Sequence, residues 1–131
     1  MFSARELRPG NWLIDKVDNN LCIVRSIAPT LSVERFNNVF YHCTVSQLKE
    51  IPITEDLIFL CGFKPEVNEY IKKMGSGNYL YLTFVSPNEV SIWNNDIIGD
   101  QVEYIHQLQN AYFFLTGEEL NPNLFGAKII L

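Results

Sequence analysis

DQVEYIHQLQNAYFFLTGEEL, residues 100–120, is the stretch on which the rest of the chain turns. It predicts a helix over 101–116 with both ends marked. Asp100 can accept from unpaired N–H groups of the first turn, and Glu103 can reach back to it as in a capping box. Ile105, Leu108, Tyr112 and Leu115 recur at three and four residues and make one apolar stripe. Gly117 is a stop, because it enters the left-handed conformation without a Cβ penalty. Such a helix would run roughly 24 Å. His106 falls off the stripe and is expected at the surface. Glu118 and Glu119, side by side at the exit, are expected to be solvated. Phe113 and Phe114 also miss the stripe, so the last turn is apolar on all sides. Two readings stay open for them: packing between the halves of the chain, or a self-complementary contact in a homodimer.

Upstream, Tyr79 to Val85 alternates Leu80, Leu82 and Phe84 with Tyr79, Tyr81 and Thr83, which is strand periodicity. Glu69–Met74 precedes it across Gly75-Ser76-Gly77, a hairpin turn. Ser86-Pro87-Asn88 turns the chain again into Glu89–Trp93. This three-stranded meander needs a cover, and the helix over 101–116 supplies it. Before it, Thr54 is an N-cap with Glu55 and Asp56 in the first turn. Leu57–Cys61 reads as two helical turns ended by Gly62, with Phe63 packing back. Its near-continuous apolar sequence predicts burial on most sides.

The first fifty residues read as short strands. Ser3 and Glu6 frame an opening turn, and Arg8-Pro9-Gly10-Asn11 is a turn. Trp12–Ile14 and Leu21–Val24 flank Asp18-Asn19-Asn20, and Ile27–Pro29 closes this hairpin. Leu31–Phe36 and Val39–Val45 flank Asn37-Asn38. The fold class is therefore α+β. A short-stranded N-terminal antiparallel sheet or SH3-like barrel is followed by a short buried helix, then an antiparallel meander covered by one long C-terminal helix. The expectation is one domain over 1–131 with a seam near residue 50. Residues 1–50 form a small β unit and 51–120 a helix–meander–helix unit. Residues 121–131 form a tail or, from Ala127 to Leu131, an edge strand.

With 47% hydrophobic and 19% charged residues, the composition belongs to a folded chain and excludes disorder. No apolar run reaches membrane-spanning length, and the N-terminus lacks the apolar core of a secretory signal, so a cytoplasmic protein is expected. Cys22, Cys43 and Cys61 show no ligand spacing and are expected as buried thiols; neither a metal nor another cofactor is implied. The net charge of −5 is uneven. Residues 1–50 hold six basic and five acidic side chains, whereas 51–131 hold four and ten. Such acidity argues against coating a nucleic-acid backbone.

Catalytic motifs are absent from the sequence. Gly75-Ser76-Gly77 has no lysine where a phosphate loop needs one, and no serine sits in a nucleophile elbow. The reading leans away from an enzyme. Arg8, Arg25 and Arg35 near Trp12 would suit an anionic, base-bearing ligand of nucleotide size, through paired hydrogen bonds and stacking.

YIHQLQNAYFFLTGEEL at 104–120 resembles the end of small proteins of Bacteroidetes phages and mobile elements, which typically read V-H-Q-L-Q-N-L-Y-F-A-L-T-G-E-E-L. ELRPGNWL at 6–13 is similar to their E-L-R-x-G-N start, and IPITED at 51–56 with FLCGF at 59–63 to their central block. That family carries no assigned activity. The resemblance implies an accessory protein made inside a bacterial host cell. The function expected first is a non-catalytic module that binds a host protein, such as a defence protein. A sequestering protein for a nucleotide second messenger is the alternative, and a small-substrate enzyme ranks last.

Overall fold

The chain opens with a 3-10 turn, Ala4–Glu6, closed by Glu6, whose carboxylate accepts from the Ser3 N–H at 3.0 Å. Arg8 to Asn11 follows as the expected turn, with Gly10 at φ 97° and the Asn11 side chain accepting from the Arg8 N–H at 2.7 Å. This computed structural model describes residues 3–35, 39–93 and 98–125. Two units divide the chain: Met1–Ile51 with Leu124–Leu131, and Pro52–Asn123.

In the first unit, β1 (Trp12–Asp15) pairs with β2 (Asn20–Ser26), followed by β3 (Ser32–Arg35), β4 (Val39–His42) and β5 (Leu48–Lys49). The β1–β2 turn works because Asn19 tolerates φ 57° and Asp18 accepts from the Asn20 N–H at 3.1 Å. All pairings are antiparallel, and the sheet order is β4-β3-β2-β1-β5. Leu13, Cys22, Val24 and Val33 line one face and pack with Leu7, Leu31 and Leu48.

The sheet is open, with β4 and β5 as its edges, so the expected SH3-like barrel is not formed. β4 ends at His42, short of the expected Val45. Gln47 accepts from the Thr44 N–H at 2.8 Å and turns Val45–Gln47 into 3-10 geometry. That leaves only two residues for β5, too little strand to close a barrel. The expected turn at Asn37-Asn38 and the strand or tail at Ala127–Leu131 lie outside the described residues.

The second unit begins with α1 (Glu55–Leu60), capped as expected by Thr54, whose hydroxyl accepts from the Leu57 N–H at 3.3 Å. Gly62, at φ 96°, ends it. Gly62 N–H bonds Phe59 O and Phe63 N–H bonds Ile58 O, the two bonds of a Schellman motif. Burial on most sides is not what α1 shows. Leu57 and Ile58 are buried, while Phe59 and Leu60 are exposed, because only one face of this short helix meets the core.

β6 (Lys64–Glu66), β7 (Glu69–Lys73), β8 (Tyr79–Ser86), β9 (Glu89–Trp93) and β10 (Ile98–Val102) follow in one antiparallel meander, ordered β10-β9-β8-β7-β6. Three of these strands were expected; β6 and β10 are additions. Leu80, Leu82, Val90 and Ile92 are fully buried, whereas Tyr79 stays exposed, as the alternation predicts. On the opposite face Tyr81 and Trp93 are register partners and stack at 4.5 Å.

α2 (Ile105–Thr116) is shorter than expected, and Asp100 is no cap. Asp100 lies within β10, whose Gln101 and Val102 pair with Ser91 and Val90. Pairing along an edge satisfies several backbone groups, more than one capping bond does. The N-cap is instead Tyr104, and Gln107 in the first turn reaches back, its Oε1 accepting from the Glu103 N–H at 2.9 Å and the Tyr104 N–H at 3.2 Å. At the other end Gly117, at φ 72°, stops the helix as expected. α2 lies against β10. Among the described residues no helix is long and apolar enough to cross a membrane.

Candidate binding site

Five strands and a short helix leave one end of the second unit's inner sheet face open. There α1 begins, the β6–β7 turn projects, and β8 runs into the β8–β9 turn. Between them is an open groove of about 660 Å³. Its floor is aromatic. Tyr70 on β7 meets Phe84 on β8 edge to face at 5.6 Å, and the tilted ring of Phe59 on α1 lies 5.7 Å from it, centre to centre. The Tyr70 hydroxyl donates to Glu55 at 2.6 Å. That bond pushes the phenol above its usual titration range, so it remains a donor at neutral pH. Held by two rings and one hydrogen bond, Tyr70 is fixed before any ligand arrives.

The rim is acidic and apolar by turns. Glu55, Glu66 and Glu69 line it together with Val85, and no lining residue is basic. Glu66 and Glu69 are register partners across the β6–β7 hairpin, so two like charges stand directly opposite one another. The hairpin closes through Val67-Asn68, with Asn68 at φ 63° and Val67 at 84% exposure.

Compared with protein-family models, curated proteins and solved structures, the chain shows no significant match. The site therefore rests on its own geometry.

The arginines singled out from sequence do not form one cluster. Arg25 Nε donates to Glu34 at 2.6 Å. Arg35 pairs with Asp18, and its guanidinium lies 5.7 Å from the centre of the Tyr41 ring. Arg35 sits opposite Cys22 in the sheet, whereas Trp12 and Glu34 both sit opposite Ile23. Alternation along a strand thus puts Arg35 on one face, and Trp12 with the Arg25–Glu34 pair on the other. Trp12 is 3% exposed and meets Phe125 edge to face at 4.6 Å. Arg8 is half-buried on the turn before β1.

Other residues depart from expectation. His106 is fully buried rather than at the surface, its ring parallel to that of Tyr104 at 6.3 Å. The buried arc of α2 holds Ile105, His106, Leu108, Gln109 and Tyr112, wider than the apolar stripe. Gln109 is tolerated there because its Nε2 donates to Leu120 O at 3.0 Å. Leu115 is only half-buried. Glu118 is not simply solvated, since its carboxylate accepts from the Gly75 N–H at 3.0 and 3.2 Å and ties the hairpin turn to the exit of α2. Phe113 is half-buried and Phe114 is 89% exposed. Intramolecular packing therefore does not account for Phe114.

The sequence reading missed the groove. β6 is only three residues long and includes Pro65, so it carries no strand periodicity, and without it Glu66-Val67-Asn68-Glu69 does not look like a hairpin. Asn68 between two acids was the available signal.

Proposed function

We propose that this chain is a non-catalytic binding module, an accessory protein of a phage or mobile element that acts on a protein inside its bacterial host, with defence proteins the first candidates. The resemblance of residues 104–120 supplies the context. The observation that carries the binding reading is the groove lined by Tyr70 and Phe84, with the exposed Val85 and with Pro65 and Pro87 also in its lining. Exposed apolar side chains grouped about a concavity favour macromolecular contact, because covering them removes apolar surface from water at little ordering cost.

Affinity capture from host lysate tests it, using the full chain beside its Val85→Arg variant. A partner held by the wild type and lost with the variant supports the reading. A partner held equally by both moves the contact elsewhere. A melting panel with nucleotides runs alongside. A nucleotide at about 100 times its Kd would add about 2.7 kcal/mol to the native state, and such a shift would replace this reading with nucleotide sequestration.

A further inference from the structure

We propose that the outer face of the second unit's sheet is a self-complementary surface, covered by a second copy of this chain. This goes beyond the groove and does not depend on it.

Leu80, Leu82, Val90 and Ile92 are in the core, so their neighbours along β8 and β9 lie on the opposite face. Register sets those neighbours in a row across the strands. Lys64 on β6 is partnered with Ile71 on β7, Ile71 with Tyr81 on β8, and Tyr81 with Trp93 on β9. Tyr81 and Trp93 stack at 4.5 Å, and Trp93 Nε1 donates to the Thr83 hydroxyl at 3.2 Å, so the rings are held in place before anything meets them. Ile71, Tyr81 and Trp93 are half-buried, and Tyr79 on the same face is exposed.

Stacked rings on neighbouring strands stabilise a sheet by themselves. The charges around the row identify the occupant. Alternation puts Glu69 and Lys73 on the face of Ile71, one on each side of it along β7. A two-fold axis along the row, between two facing sheets, exchanges those sides. Each Glu69 then meets Lys73 of the second copy, and each Lys73 meets Glu69. Isologous contacts demand this mutual matching. Lys64 lies on the axis with Glu66 beside it on the same face, so carboxylates from both copies flank the facing lysines. Lys64 and Lys73 balance Glu66 and Glu69 here, although residues 51–131 hold four basic side chains against ten acidic ones. Among the described residues neither Glu69 nor Lys73 is in an ion pair within the chain. Facing sheets pack about 10 Å apart, a gap that these long side chains can bridge from both sides.

Light scattering of the purified full chain over a concentration series tests this. It needs no host protein, so its failure is distinct from failure of the capture experiment. The mass should rise reversibly from monomer to dimer. Glu69→Lys and Lys73→Glu, each checked for an unchanged fold by circular dichroism, should each raise the dimer Kd about tenfold, because like charges then face one another at both symmetric places. Combining the two exchanges in one chain should restore the wild-type Kd, since the pair is then only reversed. Tyr81→Lys should give a folded monomer; if it fails to fold, the charge exchanges decide. A wild type that stays monomeric at the highest concentration would overturn the inference. So would a dimer indifferent to the single exchanges, or a double variant no tighter than either single one. A dimer dissociated by Phe114→Glu and not by the exchanges would place the contact on α2 and overturn it too.

Discussion

At the scale of single residues, the buried thiols show how much environment changes chemistry. Cys22 and Cys61 are both buried, and desolvation pushes each thiol up to about 12 from 9.0. Cys43 is half-buried and is raised for the same reason. The thiolate is the reactive form. An alkylating reagent at about pH 8 should therefore modify Cys43 first, and Cys22 and Cys61 only once the protein unfolds. Mass spectrometry of the native and denatured protein reads this directly. Because these folded values lie above the unfolded one, the contribution of the buried thiols is fully present below pH 9.0. Above pH 9.0 the unfolded chain releases protons that the native state keeps, so stability should fall as the pH climbs towards about 12. Denaturant midpoints that stay level between about pH 8 and about pH 11 would show the thiols to be solvated.

Among the elements, the β6–β7 hairpin carries an unfavourable charge pair. Glu66 opposes Glu69 directly, with a two-residue turn between them. Removing one charge should relieve repulsion, so Glu66→Gln is expected to stabilise the protein by about 0.2–1 kcal/mol. Thermal melts measure this, and a loss of stability would mean that Glu66 has a partner in solution that outweighs the repulsion. α1 has its Thr54 cap and its Schellman exit, and α2 has Gln107 at one end and Gly117 at the other.

For the whole molecule, the open question set by the sequence is what covers the end of α2. Phe114 is 89% exposed, so its replacement by Glu removes little packing. The variant should keep the wild-type melting transition within about 0.5 kcal/mol. Light scattering then gives the assembly state. A wild-type dimer that becomes a folded monomer with Phe114→Glu places the two-fold contact at Phe113 and Phe114. Unchanged mass in both leaves Phe114 outside any self-contact. A variant that fails to fold would mean that the side chain is covered in solution.

What the sequence determined by itself is local. The turns at Arg8–Asn11, Asp18–Asn20 and Gly75–Gly77, the Thr54 cap and both glycine stops all depend on φ limits and hydrogen bonds spanning a few residues. Strand alternation placed Leu80, Leu82, Val90 and Ile92 in the core for the same reason. Tertiary structure decided what depends on distant partners. Asp100 looks like a cap until β9 claims Gln101 and Val102 for a strand. His106 looks like surface until the fold buries it, and Gln109 is buried with its side chain donating to Leu120 O. Arg25 and Arg35 look available until Glu34 and Asp18 engage them. The groove needs α1, β6, β7 and β8 at once, and no segment of sequence contains that juxtaposition. Burial and pairing between residues far apart in the chain are properties of the folded arrangement, so only the folded chain brings Glu66, Glu69 and Tyr70 together with Phe84 and Val85.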